Sequence, residues 1–344
     1  MKYQFCIRFN NIDKNSAASK AVLDCNEIFS RFDYKDYTIT VGDNNKKFRY
    51  YCLLIKQLFL FYFSIKNRSI VGIQYPLLSI NSIFKYFIRI AKIKNIRFFC
   101  IVHDLESLRS GGNDQQQINL EIANLNYYDY IIVHNDFMMS WLKQNGVVKP
   151  MISLLLFDYL CVNFKIDNTR DKEGRIIYAG NLSKSKFVYQ LPQLKTKFNI
   201  FGPGFINIET INATNVAWCG EYSPDEIPKH LKGSYGLIWD GAEINKFDDK
   251  LGNYLCYNNP HKFSLYIAAG LPVIAPEKSA IGAFIKELKI GFLITKLADI
   301  QNMAIDDASY SIMINNILKL REKVINGIFF SDALTLIERN YDKN

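Results

Sequence analysis

Short apolar runs alternate with longer stretches whose apolar residues recur every three to four positions, and this rhythm starts twice along the chain. In the first half, residues 4–8, 37–41, 70–75, 97–102, 130–133 and 152–156 read as strands. Helical periodicity falls near 17–31, 51–65, 80–95, 116–126 and 136–145. The strands are apolar almost throughout, which predicts a parallel sheet covered by helices on both faces. The second half repeats the pattern. Strands are expected at 175–179, 198–201, 215–219, 236–239, 272–275 and 291–294, and helices at 224–232, 260–269, 279–288, 309–326 and 331–341. A polar, charged stretch at 158–174 separates the halves. The expected organisation is a first lobe at 1–157, a linker at 158–174 and a second lobe at 175–328. A terminal helix at 329–344 could fold back on the first lobe. Two doubly wound α/β lobes bind ligands beyond the carboxyl ends of their strands.

At 344 residues the chain exceeds one comfortable hydrophobic core, which agrees with two lobes. Charge changes the picture. Residues 1–165 hold 21 Lys and Arg against 13 Asp and Glu, whereas residues 166–344 hold 21 against 20. A basic first half suits an anionic surface. No zinc-finger spacing, homeodomain-like helix or RNP pattern supports nucleic acid, so a membrane face is the better match and no nucleic-acid partner is expected. Within 83–99, Lys85, Arg89, Lys92, Lys94 and Arg97 interleave with apolar residues as in a helix lying on a bilayer. The apolar stretch 51–65 is too short to span one and carries Lys56 and Gln57. Seven scattered cysteines without C-x-x-C spacing read as reduced thiols. With no signal-peptide pattern at the start, the expected location is the cytoplasm, including the inner face of the membrane.

Candidate chemistry concentrates in a few segments. In Asn258-Asn259-Pro260-His261-Lys262-Phe263-Ser264, Pro260 suits a first helical turn with Asn259 as N-cap, and Gly270 with Pro272 ends the helix sharply. Lys262 is electrostatically misplaced at a helix start unless an anion sits there, which predicts a diphosphate seat. In Tyr178-Ala179-Gly180-Asn181-Leu182-Ser183-Lys184, a strand ends at a glycine that lets a ligand approach, and Lys184 supplies a second point charge. Ser223, Pro224 and Glu226 read as a capping box, leaving Gly220 to Tyr222 to face a nucleobase. Asp240, closing the run Gly236-Leu237-Ile238-Trp239, could orient ribose or sugar hydroxyls. In the first half a strand delivers His103, Asp104 and Glu106 to one place. A carboxylate or imidazole there could take the proton of an attacking hydroxyl, and Asp104 is the first choice, ahead of Glu106 and His103. His134 reads as a helix cap and His230 as incidental. The dinucleotide, Walker, G-x-S-x-G, H-E-x-x-H and D-x-D patterns are all missing, which turns the reading away from dehydrogenase, ATPase, esterase, metalloprotease and metal-dependent transferase chemistry.

With these residues in hand, the chain resembles the glucosyltransferase 3-like and β-1,6-galactofuranosyltransferase family of bacterial surface glycosylation. The resemblance runs through Asn15-Ser16-Ala17-Ala18-Ser19-Lys20-Ala21, His103-Asp104-Leu105-Glu106-Ser107-Leu108-Arg109 and Val133-His134-Asn135. It continues in Phe157-Asp158-Tyr159-Leu160, Tyr178-Ala179-Gly180-Asn181-Leu182, Gly236-Leu237-Ile238-Trp239-Asp240-Gly241 and Tyr257-Asn258-Asn259-Pro260-His261-Lys262. It implies a GT-B fold, two Rossmann-like lobes facing across a cleft, the first (1–157) binding the acceptor and the second (175–328) the UDP-sugar, with inversion and no metal cofactor. The donor would be a UDP-hexose (glucose, galactose or galactofuranose) and the acceptor a hydroxyl of a lipid-linked or protein-linked glycan. Gly180, Asn181, Lys184, Tyr222, Asp240, Asn259, His261, Lys262 and Ser264 would form the donor site, with Lys184 and Lys262 on the diphosphate. The sequence departs from the pattern at the acidic stretch 242–250 and at Phe263, where threonine is commoner; both concern the donor sugar. A non-catalytic glycan-binding or chaperone partner of another transferase, a nucleotide-sugar epimerase and a homo-oligomer are compatible with the same sequence.

Overall fold

The structure is a computed structural model and describes residues 1–9, 17–41, 47–77, 80–166, 170–206, 215–246 and 249–342. Asn15 and Ser16 of the first family segment, and part of the 242–250 stretch, therefore lie outside the described residues. The chain forms two compact units, one of residues 1–14, 22–154 and 330–344 and the other of residues 15–21 and 155–329.

Unit 1 alternates strand and helix: β1 (Lys2–Phe9), α1 (Ala17–Arg31), β2 (Lys35–Val41), α2 (Lys47–Ser64), β3 (Ile70–Tyr75), α3 (Asn81–Ala91) and β4 (Arg97–Val102). It continues through α4 (Glu106–Arg109), α5 (Gln115–Leu125), β5 (Tyr130–Val133), α6 (Asp136–Gln144) and β6 (Met151–Ser153). The first residues of α1 group with the second unit. The sheet is six-stranded and parallel, in the order β2-β1-β3-β4-β5-β6. Buried Phe5, Phe61, Phe84 and Phe87 pack ring against ring where α2 and α3 cover it. The expected helix at 80–95 stops earlier than its basic-apolar pattern suggests. A short 3-10 turn follows α3, Asn95 turns left-handed at φ 54°, and Phe98 and Phe99 are core residues of β4.

Unit 2 holds β7 (Ile176–Ala179), β8 (Phe198–Phe201), β9 (Val216–Trp218), α7 (Ile227–His230), β10 (Gly236–Leu237), α8 (Lys250–Tyr254) and α9 (His261–Ala268). After these come β11 (Val273–Pro276), α10 (Gly282–Leu288), β12 (Gly291–Ile294) and α11 (Asp307–Asn326). A final helix, α12 (Ile328–Asp342), falls with unit 1 from residue 330 onward. The six parallel strands of unit 2 run in the order β12-β11-β10-β7-β8-β9. Along β7, Ile176 and Tyr178 enter one core and Ile177 and Ala179 the other. The strand is apolar on both sides because both sides are covered, as its sequence predicts.

Within unit 1, α12 is bound by Phe330 edge-on to Phe29, Tyr341 edge-on to Tyr130, and a 3.0 Å ion pair from Lys2 to Glu338.

Candidate functional site

In unit 2 the strand order reverses between β7 and β10, which pair only at Gly236 and Ile177. Open α/β sheets take their ligands beyond the carboxyl ends of strands at such a reversal. Tyr266 bridges the parting strands: its hydroxyl accepts from the Ala179 N–H at 2.9 Å and donates to the Leu237 carbonyl at 3.0 Å. Its ring lies so close to Gly236 that a β-carbon there would fall 2.3 Å from it. One helical turn before Tyr266, on the same face of α9, stands Lys262. Its ammonium donates to the Tyr178 hydroxyl at 3.2 Å and the Trp239 carbonyl at 3.4 Å, and it forms an ion pair with Asp240. Burial opposes the charge, but Asp240 and the surrounding acceptors outweigh it and hold the Lys262 pKa above the usual lysine range. Lys262 is thus a fixed cation at the positive end of a helix, with Asp240 as counter-ion.

The helix end follows the sequence closely. Gly270 turns left-handed at φ 69°, its N–H meets the Ile267 carbonyl, and the Leu271 N–H meets that of Tyr266, the double bond of a Schellman ending. The start differs from expectation. Pro260, extended at φ −67° and ψ 135°, takes the N-cap position with no side-chain cap. Asn259 instead donates from Nδ2 to the Leu155 carbonyl at 2.8 Å. Ser264 is buried and its hydroxyl donates to the Phe157 carbonyl at 2.6 Å, so it anchors the chain around 155–157. His261 stacks on Tyr159 at 5.0 Å.

The Lys184 turn connects to Lys262 through a hydrogen-bonded chain. The Ser185 hydroxyl donates to the Asn181 carbonyl at 2.9 Å, so it accepts from the Tyr178 hydroxyl at 2.6 Å. The Tyr178 oxygen is then left to accept from Lys262. Burial pushes the Tyr178 pKa up, so the phenol keeps its proton. The Asn181 side chain accepts from the Ser183 hydroxyl at 2.6 Å and the Lys184 N–H at 3.3 Å, leaving the Lys184 side chain exposed. Beside this turn the Gly180 N–H meets the Phe201 carbonyl, and the Gly202 N–H meets that of Gly220. The carboxyl ends of β7, β8 and β9 are thereby laced together by bare backbone.

Tyr222 stacks face to face on His230 at 3.8 Å, so His230 supports the ring next to Gly220. The expected capping box does not form. α7 begins at Ile227 without a side-chain cap, and Glu226 pairs with Lys229 at 3.1 Å. The reason is Pro228. A helix started at 224 would bury its missing N–H in the interior, whereas one started at 227 places it in the first turn.

In unit 1, the residues after β4 diverge. His103 Nε2 lies 2.7 Å from Gln74 Oε1, and the Gln74 amide nitrogen itself donates to Asn26 and Val22, so the imidazole is the donor. Close packing lowers its pKa to about 4, leaving it neutral near pH 7. Asp104 and Glu106 both face Arg109, each at 3.5 Å from Nη1. Their segment is held by Glu121 of α5, buried and unannounced by any sequence pattern. The Glu121 carboxylate accepts from the N–H groups of Glu106 and Ser107 at 3.1 and 3.0 Å, from the Ser107 hydroxyl, and from the Tyr75 hydroxyl at 3.2 Å. Burial pushes its pKa up against the pull of those donors. His134 is not the helix cap. Asn135 takes that role by accepting from the Met138 N–H, while buried His134 donates from Nε2 to the Val102 carbonyl at 3.0 Å. Burial first, and His103 next, lower the His134 pKa to about 3. Among the described residues no group of three or more His, Cys, Asp or Glu could hold a metal ion.

Comparison with known proteins settles the family. The profile of the glucosyltransferase 3-like N-terminal domain matches residues 4–156, and that of the glucosyltransferase 3-like C-terminal domain matches residues 176–337. The chain belongs to the glucosyltransferase 3-like family. This glucosyltransferase 3-like protein is 30% identical over 289 residues to the β-1,6-galactofuranosyltransferase WbbI of Escherichia coli K12, across 81% of this chain and 82% of that one. It is 26% identical over 255 residues to glucosyltransferase 3 of Streptococcus gordonii, across 72% of each chain. Among solved structures, an α-glucosyltransferase in complex with UDP superposes with a TM-score of 0.55 at 11% identity, over 97% of this chain and 99% of that one. TarM of S. aureus gives 0.53 at 15% identity, over 83% of this chain and 57% of the longer TarM chain. Likeness at such identities speaks for the fold, and the fold is GT-B. The class of activity that the family carries is glycosyl transfer.

Proposed function

We propose that this glucosyltransferase 3-like protein moves a hexose from a UDP-sugar onto a hydroxyl of an acceptor glycan, inverting the anomeric centre and using no metal. The observation that carries this reading is Lys262: a largely buried cation at the amino end of α9, beside the strand reversal of unit 2, whose charged partner among the described residues is Asp240. A diphosphate beside it would gain both the ammonium and the helix end. The lysine would stabilise the charge that builds on UDP as the glycosidic bond breaks. The exposed Lys184 supplies further positive charge from a turn tied to Lys262 through Tyr178 and Ser185. Asp240 is then free to turn to a sugar or ribose hydroxyl, and Tyr222 on its His230 support offers a face to the uracil ring. Asp104, or Glu106 beside it, is assigned the acceptor hydroxyl proton, with Glu121 fixing the loop that carries them. Relatives named for glucose and for galactofuranose transfer support a hexose as the sugar moved.

The test is UDP release from a panel of UDP-hexoses with glycan acceptors. Lys262→Ala is expected to lower turnover about a hundredfold or more while the circular dichroism of the folded chain is kept. Near-normal turnover in that variant would remove the diphosphate role. Retained configuration in the product, by NMR, would overturn inversion, and activity lost to a chelator and restored by magnesium or manganese would overturn the metal-free step.

A further inference from the structure

Helix α2 carries large apolar side chains on its outer side as well as on its inner one. Its inner side, through Leu54, Leu58 and Phe61, is buried in the core of unit 1, and its outer side carries Ile55, Phe59 and Phe63, each more than half exposed. Phe59 and Phe63 touch each other with ring centres 4.6 Å apart. Alongside runs α3, joined to α2 by the stacked pair Phe61 and Phe87; from the 3-10 turn after α3, Lys94 donates to the Tyr62 and Ile65 carbonyls at the end of α2 at 2.7 and 2.9 Å. Tyr86 and Ile90 on α3, with Ile93 in the 3-10 turn after it, make a second stripe, again more than half exposed. A water-facing helix is normally polar on its outer side, and contiguous aromatic and aliphatic exposure of this kind marks a contact surface.

Charge names the partner. Between Asp43 and Asp104 the sequence contains eleven lysines and arginines and no acidic residue. Lys56 lies within the outer side of α2, Lys66 and Arg68 follow it, and Lys85 and Arg89 flank the stripe of α3. A second copy of the same face would set like charges against each other. A nucleic acid would meet the cations but leave the phenylalanines and isoleucines in water. A bilayer with anionic head groups satisfies both, taking aromatic and aliphatic tips into the interface and the cations at the phosphates. Among the described residues no helix is long and apolar enough to cross a membrane, so the face would lie on it. We propose that the outer face of α2 and α3 seats unit 1 on an anionic phospholipid surface, independently of the donor site.

The full-length protein is tested by co-sedimentation with vesicles of phosphatidylcholine alone or mixed with phosphatidylglycerol, at low and high salt. Binding is expected to the anionic vesicles and to weaken about tenfold or more in pure phosphatidylcholine and at high salt. The double variants Lys56→Glu/Arg89→Glu and Phe59→Ser/Phe63→Ser are each expected to weaken it by about tenfold or more, with unchanged circular dichroism and UDP affinity, because these side chains point outward. A Phe59→Trp variant is expected to shift its emission to the blue on binding. Wild-type protein that stays in the supernatant with anionic vesicles overturns the proposal. So does a Phe59→Trp spectrum unmoved by them, or light scattering showing an oligomer that Phe59→Ser/Phe63→Ser dissociates, since the face would then join copies of the chain.

Discussion

Lys262 answers two demands that pull against each other. A buried ammonium must have a counter-charge to be tolerated, and a diphosphate seat must have a cation to offer. Asp240 meets the first demand in the structure and would yield to the phosphates in the second. Asp240→Ala is therefore expected to cost about 2–4 kcal/mol of stability by leaving the lysine unpaired. Added UDP should raise the melting temperature of that variant by more than it raises the wild type, since UDP restores the missing charge. Equal shifts in a thermal scan would show that Asp240 and the diphosphate do not share Lys262. His134 and His103 tie stability to pH through burial rather than through an ion pair. Their folded pKa values, about 3 and about 4, lie below the ordinary 6.5, so the unfolded chain binds the extra protons. Stability is full above about pH 6.5 and falls as the pH drops toward 4 and 3, by on the order of a few kcal/mol. In His134→Gln, urea unfolding between pH 7 and 4 should show a flatter dependence. Both histidines were visible in the sequence, as were Lys262 and Asp240. Their partnerships were not, because Gln74, Val102 and Tyr178 reach them from elements distant in the chain and leave no local pattern. Glu121 was the hardest to see: a lone acid on a helix reads as solvated until four donors are found around its carboxylate.

At the level of elements, strands such as β3, β4, β5, β8 and β12 fall where the apolar runs place them, because a strand buried on two faces has nowhere to put a polar residue. What the pattern missed are short pieces, α4, α8 and the 3-10 turn at Lys186–Gln193, too brief to complete a periodic stripe. Glycines tell the same story from the other side. Gly180 and Gly220 stand out in the sequence beside strand ends, whereas Gly202, just after β8, shows its part only in the fold. At Gly202, with φ 125°, a β-carbon would fall 1.9 Å from the Gly180 carbonyl oxygen. Gly202→Ala must push the two turns apart. The expected loss is about 2 kcal/mol or more by calorimetry, with weaker UDP binding by titration as the strand ends separate. An unchanged melting temperature would mean that this lacing is dispensable.

The molecule as a whole does not keep its chain in order. Unit 1 is built from residues 1–14 and 22–154 together with 330–344, so its core is shared between the two ends of the sequence. Phe330, Leu334, Ile337 and Tyr341 are buried there, each worth roughly 2 kcal/mol of apolar burial, which in sum rivals the whole stability of a domain. A chain ending after Phe329 is expected to lower the unit 1 calorimetric transition by on the order of ten degrees or more, and a synthetic peptide of residues 328–344 should restore it. An unaltered transition would make α12 an ornament. The arrangement also bears on how the protein is made. During translation the six strands of unit 1 leave the ribosome before residues 155–329, and the surface around Phe29 and Tyr130 waits uncovered while those residues are synthesised. The nascent chain must therefore be shielded from its neighbours until its last helix arrives, and a premature stop anywhere in the second half would release a first unit that is never finished.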